Sequence, residues 1–348
     1  MPSGLGRPLH GEIDFTMQPT EIHRYAPLFV VMNAASGSQD TQTVKEVIEH
    51  EVHRAGRSVF FRMVEPGQNL AQVAERAVKQ AVEHHGVIVA AGGDGTINAV
   101  AQAALGQNCA FAVLPQGTFN YFGRTHHIPT DATEAIRLLL DAREAYPVQV
   151  GLVNDKVFLV NASLGLYPEL LEEREAAKQA HGRSRMVAMW AGLRTLLHRH
   201  RHLRLKIQFG AGHLGTRQQT LKTPTLFVGN NQLQLEQLGM PEAPRVMQGQ
   251  LAAIAVKPQS TWRMLWLAVQ GIMGRLGEAD EVINFPIKDM VVTPLLPMGR
   301  RRVKVATDGE INWLTPPLRF TVASTPLNLV CPTPAAFQNQ GLRQSTGT

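Results

Sequence analysis

The stretch VIVAAGGDGTINAVAQAAL, Val87 to Leu105, joins an apolar run to a glycine turn and then to a helical pattern. Gly92, Gly93 and Gly95 carry no Cβ, so backbone N–H groups at the turn can approach an anion closely. Thr96, Ile97 and Asn98 open the helix, whose N-terminal end adds positive potential, and Thr96 is read as its cap. Such a turn suits a phosphate, yet Asp94 puts a carboxylate in the middle of it. A carboxylate beside a polyphosphate is tolerable when a divalent cation lies between them, or when the acid faces an attacking hydroxyl. The residue types therefore point to phosphoryl transfer from a magnesium nucleotide, with a glycine turn and a solvated Asp as the plain alternative. The spacing is not the G-x-G-x-x-G of dinucleotide binding.

Two more loops belong to the same edge of the expected sheet. VVMNAASGS supplies Asn33, Ala34, Ala35, Ser36 and Gly37 directly after an apolar run. VLPQGTFNYFGR supplies Gly117, Thr118 and Asn120 after another. Far downstream, VKVATDGE ends an alternating strand on Asp308, Gly309 and Glu310. Gly309 lets the chain turn sharply, so that either carboxylate can face a cleft and take the proton of an attacking hydroxyl. A hairpin turn with two solvated acids is the competing reading of that segment.

These residues need a scaffold that gathers them. From Pro27 to about Tyr146, apolar strands alternate with helical stripes, which implies a parallel sheet covered on both faces. Right-handed crossovers then place every strand-to-helix loop on one edge. Beyond Tyr146-Pro147 the strands become short and alternating, KVFLVNAS (156–163) being one of them, the pattern of an antiparallel sandwich or barrel. The expected organisation is an α/β domain over 26–147 and a β-sandwich domain over 148–332, flanked by disordered tails at 1–25 and 333–348. Whether the last strand returns to the first domain is left open.

The chain has 348 residues, 44% of them hydrophobic and 18% charged, with a formal net charge of +6. This is the composition of an ordinary globular protein, and its basic balance favours anionic partners. Two cysteines, Cys109 and Cys331, make no disulfide framework. Residues 1–26 hold no apolar core of signal-peptide length, and no run reaches the ~18–20 apolar residues of a membrane span. A cytoplasmic setting is expected, with any membrane contact peripheral, at the inner face of the cell membrane. No aromatic-lined basic motif or zinc pattern supports a nucleic-acid role.

Taken together, the motifs resemble the diacylglycerol kinase catalytic family, which includes bacterial lipid kinases, sphingosine kinases and ceramide kinases. The resemblance runs from about Pro27 to Pro332. It rests on G-G-D-G-T, N-x-x-S-G at Asn33–Gly37, P-x-G-T-x-N at Pro115–Asn120, FLVNASLGLYPEL, TPTLFVGNN and D-G-E at Asp308–Glu310. It implies an N-terminal α/β domain of the NAD-kinase and diacylglycerol-kinase type, a mainly antiparallel β-sandwich C-terminal domain, and a cleft between them. ATP, bound with Mg²⁺, would lie along Asn33–Gly37, Gly92–Asn98, Gly117–Thr118 and Asn120. Glu310 stands at the family's proton-acceptor position, with Asp308 close by, and Asp94 would help hold magnesium or the reacting centre.

Three departures stand out. Tyr121 follows Asn120 where the family commonly has an acid. Ala34 replaces the usual proline. Gln248-Gly249 stands where many bacterial members carry an Asp-Gly that helps hold a structural magnesium, so that accessory site is expected to be weak or absent. The implied partners are ATP and a diacylglycerol-like or sphingoid-like lipid at the membrane surface, and oligomeric state, a dimer included, is not legible. Competing readings are a soluble-substrate kinase of the NAD-kinase type and a catalytically inactive nucleotide- or lipid-binding regulator.

A lipid alcohol has to be met without crossing the bilayer. The basic, apolar stretch 182–206 and the stretch WRMLWLAVQGIMGRL, with Trp262, Trp266, Val269 and Met273 on one face, are each read as amphipathic helices packed on their own sheet, bilayer contact being the alternative. The Arg300–Arg302 cluster suits phosphate or lipid headgroups, or is a solvated turn.

Overall fold

Branched apolar runs build the first sheet. The computed structural model describes residues 18–33, 41–65, 67–117, 119–166, 168–169, 171–172, 202–209, 217–246, 248–296 and 301–332. In chain order the first strands are β1 (Thr20–Glu21), β2 (Leu28–Asn33), β3 (Val59–Val64), β4 (Val87–Gly92), β5 (Ala110–Pro115) and β6 (Glu144–Val148). Every residue of β4 and β5 is buried, as expected of strands covered on both faces. The helices between them are α1 (Thr41–Arg54), α2 (Leu70–Glu83), α3 (Asp94–Ala104), α4 (Tyr121–Thr125) and α5 (Ala132–Asp141). Asn69 and Asp131 cap α2 and α5 by accepting from the N–H groups of Gln72 and Glu134. Helices α2 and α3 pack together, as do α1 and α5. The second pair is further tied by Arg137, whose guanidinium forks onto the buried Glu51 carboxylate at 2.9 and 3.1 Å.

The remaining strands are β7 (Gly151–Val153), β8 (Lys156–Phe158), β9 (Asn161–Gly165), β10 (Leu203–Phe209), β11 (Arg217–Thr223), β12 (Thr225–Gly229), β13 (Leu251–Val256), β14 (Val282–Ile287), β15 (Asp289–Pro294), β16 (Val303–Thr307), β17 (Glu310–Leu314), β18 (Leu318–Val322) and β19 (Leu327–Leu329). They form two antiparallel six-stranded sheets, β11-β10-β15-β18-β7-β8 and β14-β13-β12-β9-β16-β17. One buried cluster lies between these sheets, with Phe158, Leu205, Met290 and Phe320 from the first and Leu164, Val228, Ala253 and Val305 from the second. This is a β-sandwich, in which side chains alternate between core and surface.

β19 leaves the sandwich and enters the first sheet, whose order is β1-β6-β19-β5-β4-β2-β3. It runs parallel to β5 and antiparallel to β6. Strand β1 then pairs with the outer edge of β6, and Ile22 is buried. The ordered chain therefore reaches into the tail expected at 1–25, because β6 would otherwise expose an unpaired edge. Residues 1–17 and 333–348 lie outside the described residues.

Three further helices are α6 (Gln232–Gln237), α7 (Ala243–Val246) and α8 (Thr261–Ile272). The expectation that α8 packs its tryptophan face onto the sheet is corrected. Leu267 faces inward, whereas Trp262 is 80% and Ile272 88% exposed. The helix is apolar nearly all round, so periodicity alone could not choose the buried side. Nearly all of the basic stretch 182–206 lies outside the described residues. Among the described residues no helix is long and apolar enough to cross a membrane.

The two halves are stitched together at α3 and α4. Gln102 brackets β8, donating to the Asp155 carbonyl at 3.1 Å and accepting from the Val157 N–H at 2.9 Å. Thr125 donates to Asn231 Oδ1 at 2.9 Å. Because Leu329 is fully buried where β19 closes the first sheet, Leu329→Ala should cost about 2–5 kcal/mol in urea unfolding. A loss under about 1 kcal/mol would show that β19 is not integral to that sheet.

Candidate active site

The site is built around the first turn of α3. The helix begins at Asp94, with Gly93 as its N-cap and no side-chain cap. The expected cap, Thr96, instead lies within the first turn and is 2% exposed, so the earlier start of the helix corrects that reading. Ile97, placed with the nucleotide-binding residues by sequence, is fully buried in the apolar core. Its side chain holds the helix to the sheet and faces no ligand. Gly92 ends β4 opposite Pro115, and its carbonyl accepts from the Gln116 N–H at 2.9 Å.

The Gly117 loop is closed by a two-way clamp. Gly117 N–H donates to Asn120 Oδ1 at 2.9 Å, and Asn120 Nδ2 donates back to the Gly117 carbonyl at 2.8 Å. A Cβ on Gly117 would stand 2.8 Å from that oxygen and 3.1 Å from Gly93 Cα. Asn120 also adopts a left-handed φ of +47°, tolerated by Asn better than by most residues. The side chain of Asn120 thus shapes the loop beside Asp94 instead of reaching outward. Thr118, Ala34, Ala35, Ser36 and Gly37 lie outside the described residues.

Asp308 and Gly309 form the two-residue turn between β16 and β17, with φ of +49° and +89°. Both values are positive, the geometry for which Asp-Gly is suited in a hairpin. The Asp308 carboxylate folds back and accepts four hydrogen bonds. Leu159 and Asn98 Nδ2 donate to Oδ2, both at 2.7 Å; Val160 and Asn161 donate to Oδ1 at 2.9 and 3.0 Å. This cage interrupts the expected continuous strand KVFLVNAS at Leu159 and Val160, splitting it into β8 and β9. Burial pushes the Asp308 carboxyl above its usual range, while the four donors pull the other way. All four partners are donors, so the cage fits a carboxylate and leaves a protonated acid with no acceptor for its hydrogen.

Glu310 opens β17 and is exposed. Its Oε1 lies 3.0 Å from where a Cβ on Gly95 would stand, so the bare glycine is what lets this carboxylate sit against the start of α3. Asp94 is coupled electrostatically to Asp308. Its Oδ1 is buried and has no hydrogen-bond partner. Desolvation, together with the charge of Asp308, raises its pKa from 3.8 to about 6, against the pull of the Asn120 N–H. An orphaned, desolvated carboxylate oxygen is a suitable ligand for a hard cation, so the donor set fits Mg²⁺. Among the described residues, no group of three or more His, Cys, Asp or Glu gathers to hold a metal through the protein alone. Gln248 is exposed, next to Gly249 at φ +75°.

A cleft of ≈ 410 Å³ opens beside these groups, lined by Asn33, Gly93, Gly95, Thr96, Asn98 and Glu310 among others. Sequence reasoning named all six. It missed Lys156, the cation among the described lining residues. Lys156 follows the tight turn between β7 and β8, whose Asn154 has φ +52°. A turn lysine carries no signal of its own. What brings it to the cleft is the clamp of Gln102 on the neighbouring backbone.

Asp94 gives the site a pH signature. Its folded-state pKa is raised, so the stability it contributes is present below about pH 4 and is lost as pH rises through about 6. In metal-free buffer, Asp94→Asn should match wild type near pH 4 and exceed it by about 1–3 kcal/mol at pH 7.5 in urea unfolding. Parallel pH profiles for the two proteins would contradict this assignment.

The chain is similar to known proteins in sequence and in fold. Residues 27–153 match the diacylglycerol kinase catalytic domain. A Cronobacter sakazakii protein named probable lipid kinase YegS-like is 30% identical over 146 residues, 41% of this chain and 46% of that protein. A Staphylococcus haemolyticus diacylglycerol kinase is 30% identical over 138 residues, 39% of this chain and 41% of that protein. The matched stretches thus span under half the length of these curated relatives. A crystal structure of a diacylglycerol kinase from Bacillus anthracis str. Sterne superposes with a TM-score of 0.62 at 17% identity, covering 90% of this chain and 99% of that one. Residues 27–153 are therefore similar to a diacylglycerol kinase catalytic domain, within a fold shared with solved diacylglycerol kinases.

Proposed function

We propose that the chain is an ATP-dependent lipid kinase that transfers the γ-phosphate to a hydroxyl of a diacylglycerol-like or sphingoid-like lipid. The observation that carries this reading is the approach of the Glu310 carboxylate to Gly95 in the first turn of α3, beside the buried, unpartnered oxygen of Asp94. The backbone N–H groups of Gly93 to Gly95 face the place where phosphate charge would sit, and the helix terminus adds to their potential. Lys156, which lines the same cleft, supplies a countercharge. Asp94 would hold Mg²⁺ with the nucleotide. When bound, the cation neutralises phosphate charge that Asp94, Asp308 and Glu310 would otherwise repel.

Glu310 takes the proton of the lipid hydroxyl as its oxygen bonds to the γ-phosphorus. The bond from that phosphorus to the bridging oxygen of ADP breaks, and the leaving oxygen keeps the electron pair. Asp308 does not compete for the proton, because both its oxygens are held by donors. It fixes the turn on which Glu310 stands.

Transfer of label from γ-labelled ATP to a panel of lipids, with products identified by mass, tests the reading. Glu310→Gln should reduce transfer by at least about 10²-fold with an unchanged melting temperature. An unaffected rate would reject Glu310 as the base. Formation of NADP from NAD and ATP would favour a soluble-substrate kinase, and ATP binding without transfer to any lipid an inactive regulator.

Lys156→Met should raise the KM for ATP about fivefold and leave the KM for lipid within twofold, since a single screened phosphate contact is worth roughly 1 kcal/mol. Equal shifts in both constants would place Lys156 outside the nucleotide's reach.

A further inference from the structure

A second cavity, of ≈ 660 Å³, opens at the end of the sandwich away from the cleft. Its floor is apolar, formed by Leu164, Leu203, Leu296, Val303 and Trp313. Its lining also carries Arg301, Arg302 and Lys304, against the single acid Glu169. Lys304 is already engaged: its ammonium pairs with Glu172 and lies 5.2 Å from the centre of the Trp313 ring. Arg301 and Arg302 are both exposed and take part in none of the ion pairs among the described residues. Two guanidinium groups at the mouth of an apolar groove match an anion that carries a hydrocarbon chain.

We propose that this groove binds an anionic phospholipid, with the phosphate on Arg301 and Arg302 and an acyl chain against Leu296 and Trp313. The occupant is not the lipid whose hydroxyl meets Glu310. In the β16–β17 hairpin, Thr307 pairs with Glu310 at the turn, and Lys304 pairs with Trp313 three residues away. Three strand residues span about 10 Å. Side chains alternate between faces, so Trp313 and Lys304 stand opposite Glu310 and Asn312, which line the cleft. A headgroup held at Arg301 and Arg302 therefore lies beyond reach of the proton acceptor. The hairpin nevertheless joins the two places, since the strand pair that walls the groove ends in the turn of Asp308.

The proposal does not depend on kinase activity, and its test reads binding alone. The full chain, Arg301→Ala/Arg302→Ala and Arg301→Lys/Arg302→Lys would be sedimented with phosphatidylcholine vesicles, with and without phosphatidylglycerol. Equal melting temperatures verify folding. The wild-type chain should favour the acidic vesicles, and the alanine pair should lose roughly tenfold or more of that binding, at about 1 kcal/mol per basic residue. The lysine pair should retain most of it. Calorimetry with dihexanoyl phosphatidate and with inorganic phosphate separates headgroup from chain: Trp313→Ala should weaken the first and leave the second unchanged. Equal binding of acidic vesicles by wild type and the alanine pair would overturn the site. Equal affinity for phosphatidate and inorganic phosphate would overturn the acyl groove.

Discussion

The carboxylate of Asp308 holds the molecule's two halves in register. Four donors converge on it, three from consecutive backbone N–H groups at the bend before β9 and one from Asn98 on α3. Hydrogen bonds to a charged group contribute roughly 1.5–3 kcal/mol each, and an unmade one leaves a buried donor uncompensated. The cage thus fixes a helix of the first sheet, a bend of the sandwich and the hairpin that presents Glu310. The helix carries Asp94 and the hairpin carries Glu310.

That arrangement concentrates negative charge. Asp94 is desolvated and has a bare oxygen, Asp308 lies near enough to raise its pKa, and Glu310 stands over the same helix turn. A fold selected for stability alone would not leave such a cluster uncompensated. The molecule tolerates it because Asp308 is satisfied by donors and the α3 terminus offsets part of the charge. What remains unbalanced lies at Asp94, where a cation and a phosphate together would restore neutrality.

Much of this was legible in the residues. Continuous apolar runs and helical stripes identified the parallel sheet, and turn glycines marked where Gly93 and Gly117 approach each other and where Gly95 meets the Glu310 side chain. Local patterning failed where a long-range contact decided the outcome. KVFLVNAS reads as one strand, yet a carboxylate some 150 positions away breaks it in two. Thr96 reads as a helix cap, yet the helix begins two residues earlier. Asn120 reads as a ligand and is spent on its own loop. Lys156 gave no signal, because its place depends on Gln102 of a different domain. The outward tryptophans of α8 were misjudged for a simpler reason: a helix apolar on both sides has no inner face in its sequence.

The position of β19 has a consequence for how the chain comes together. Leu329 pairs with Phe111, and between them lies the whole sandwich. During synthesis the first sheet is left with β5 unpaired on one side, and β6 without its inner neighbour, until nearly every other strand has left the ribosome. Closing a contact that distant is slow, and the open strand edge is sticky while it waits. The α/β half, although made first, is finished last.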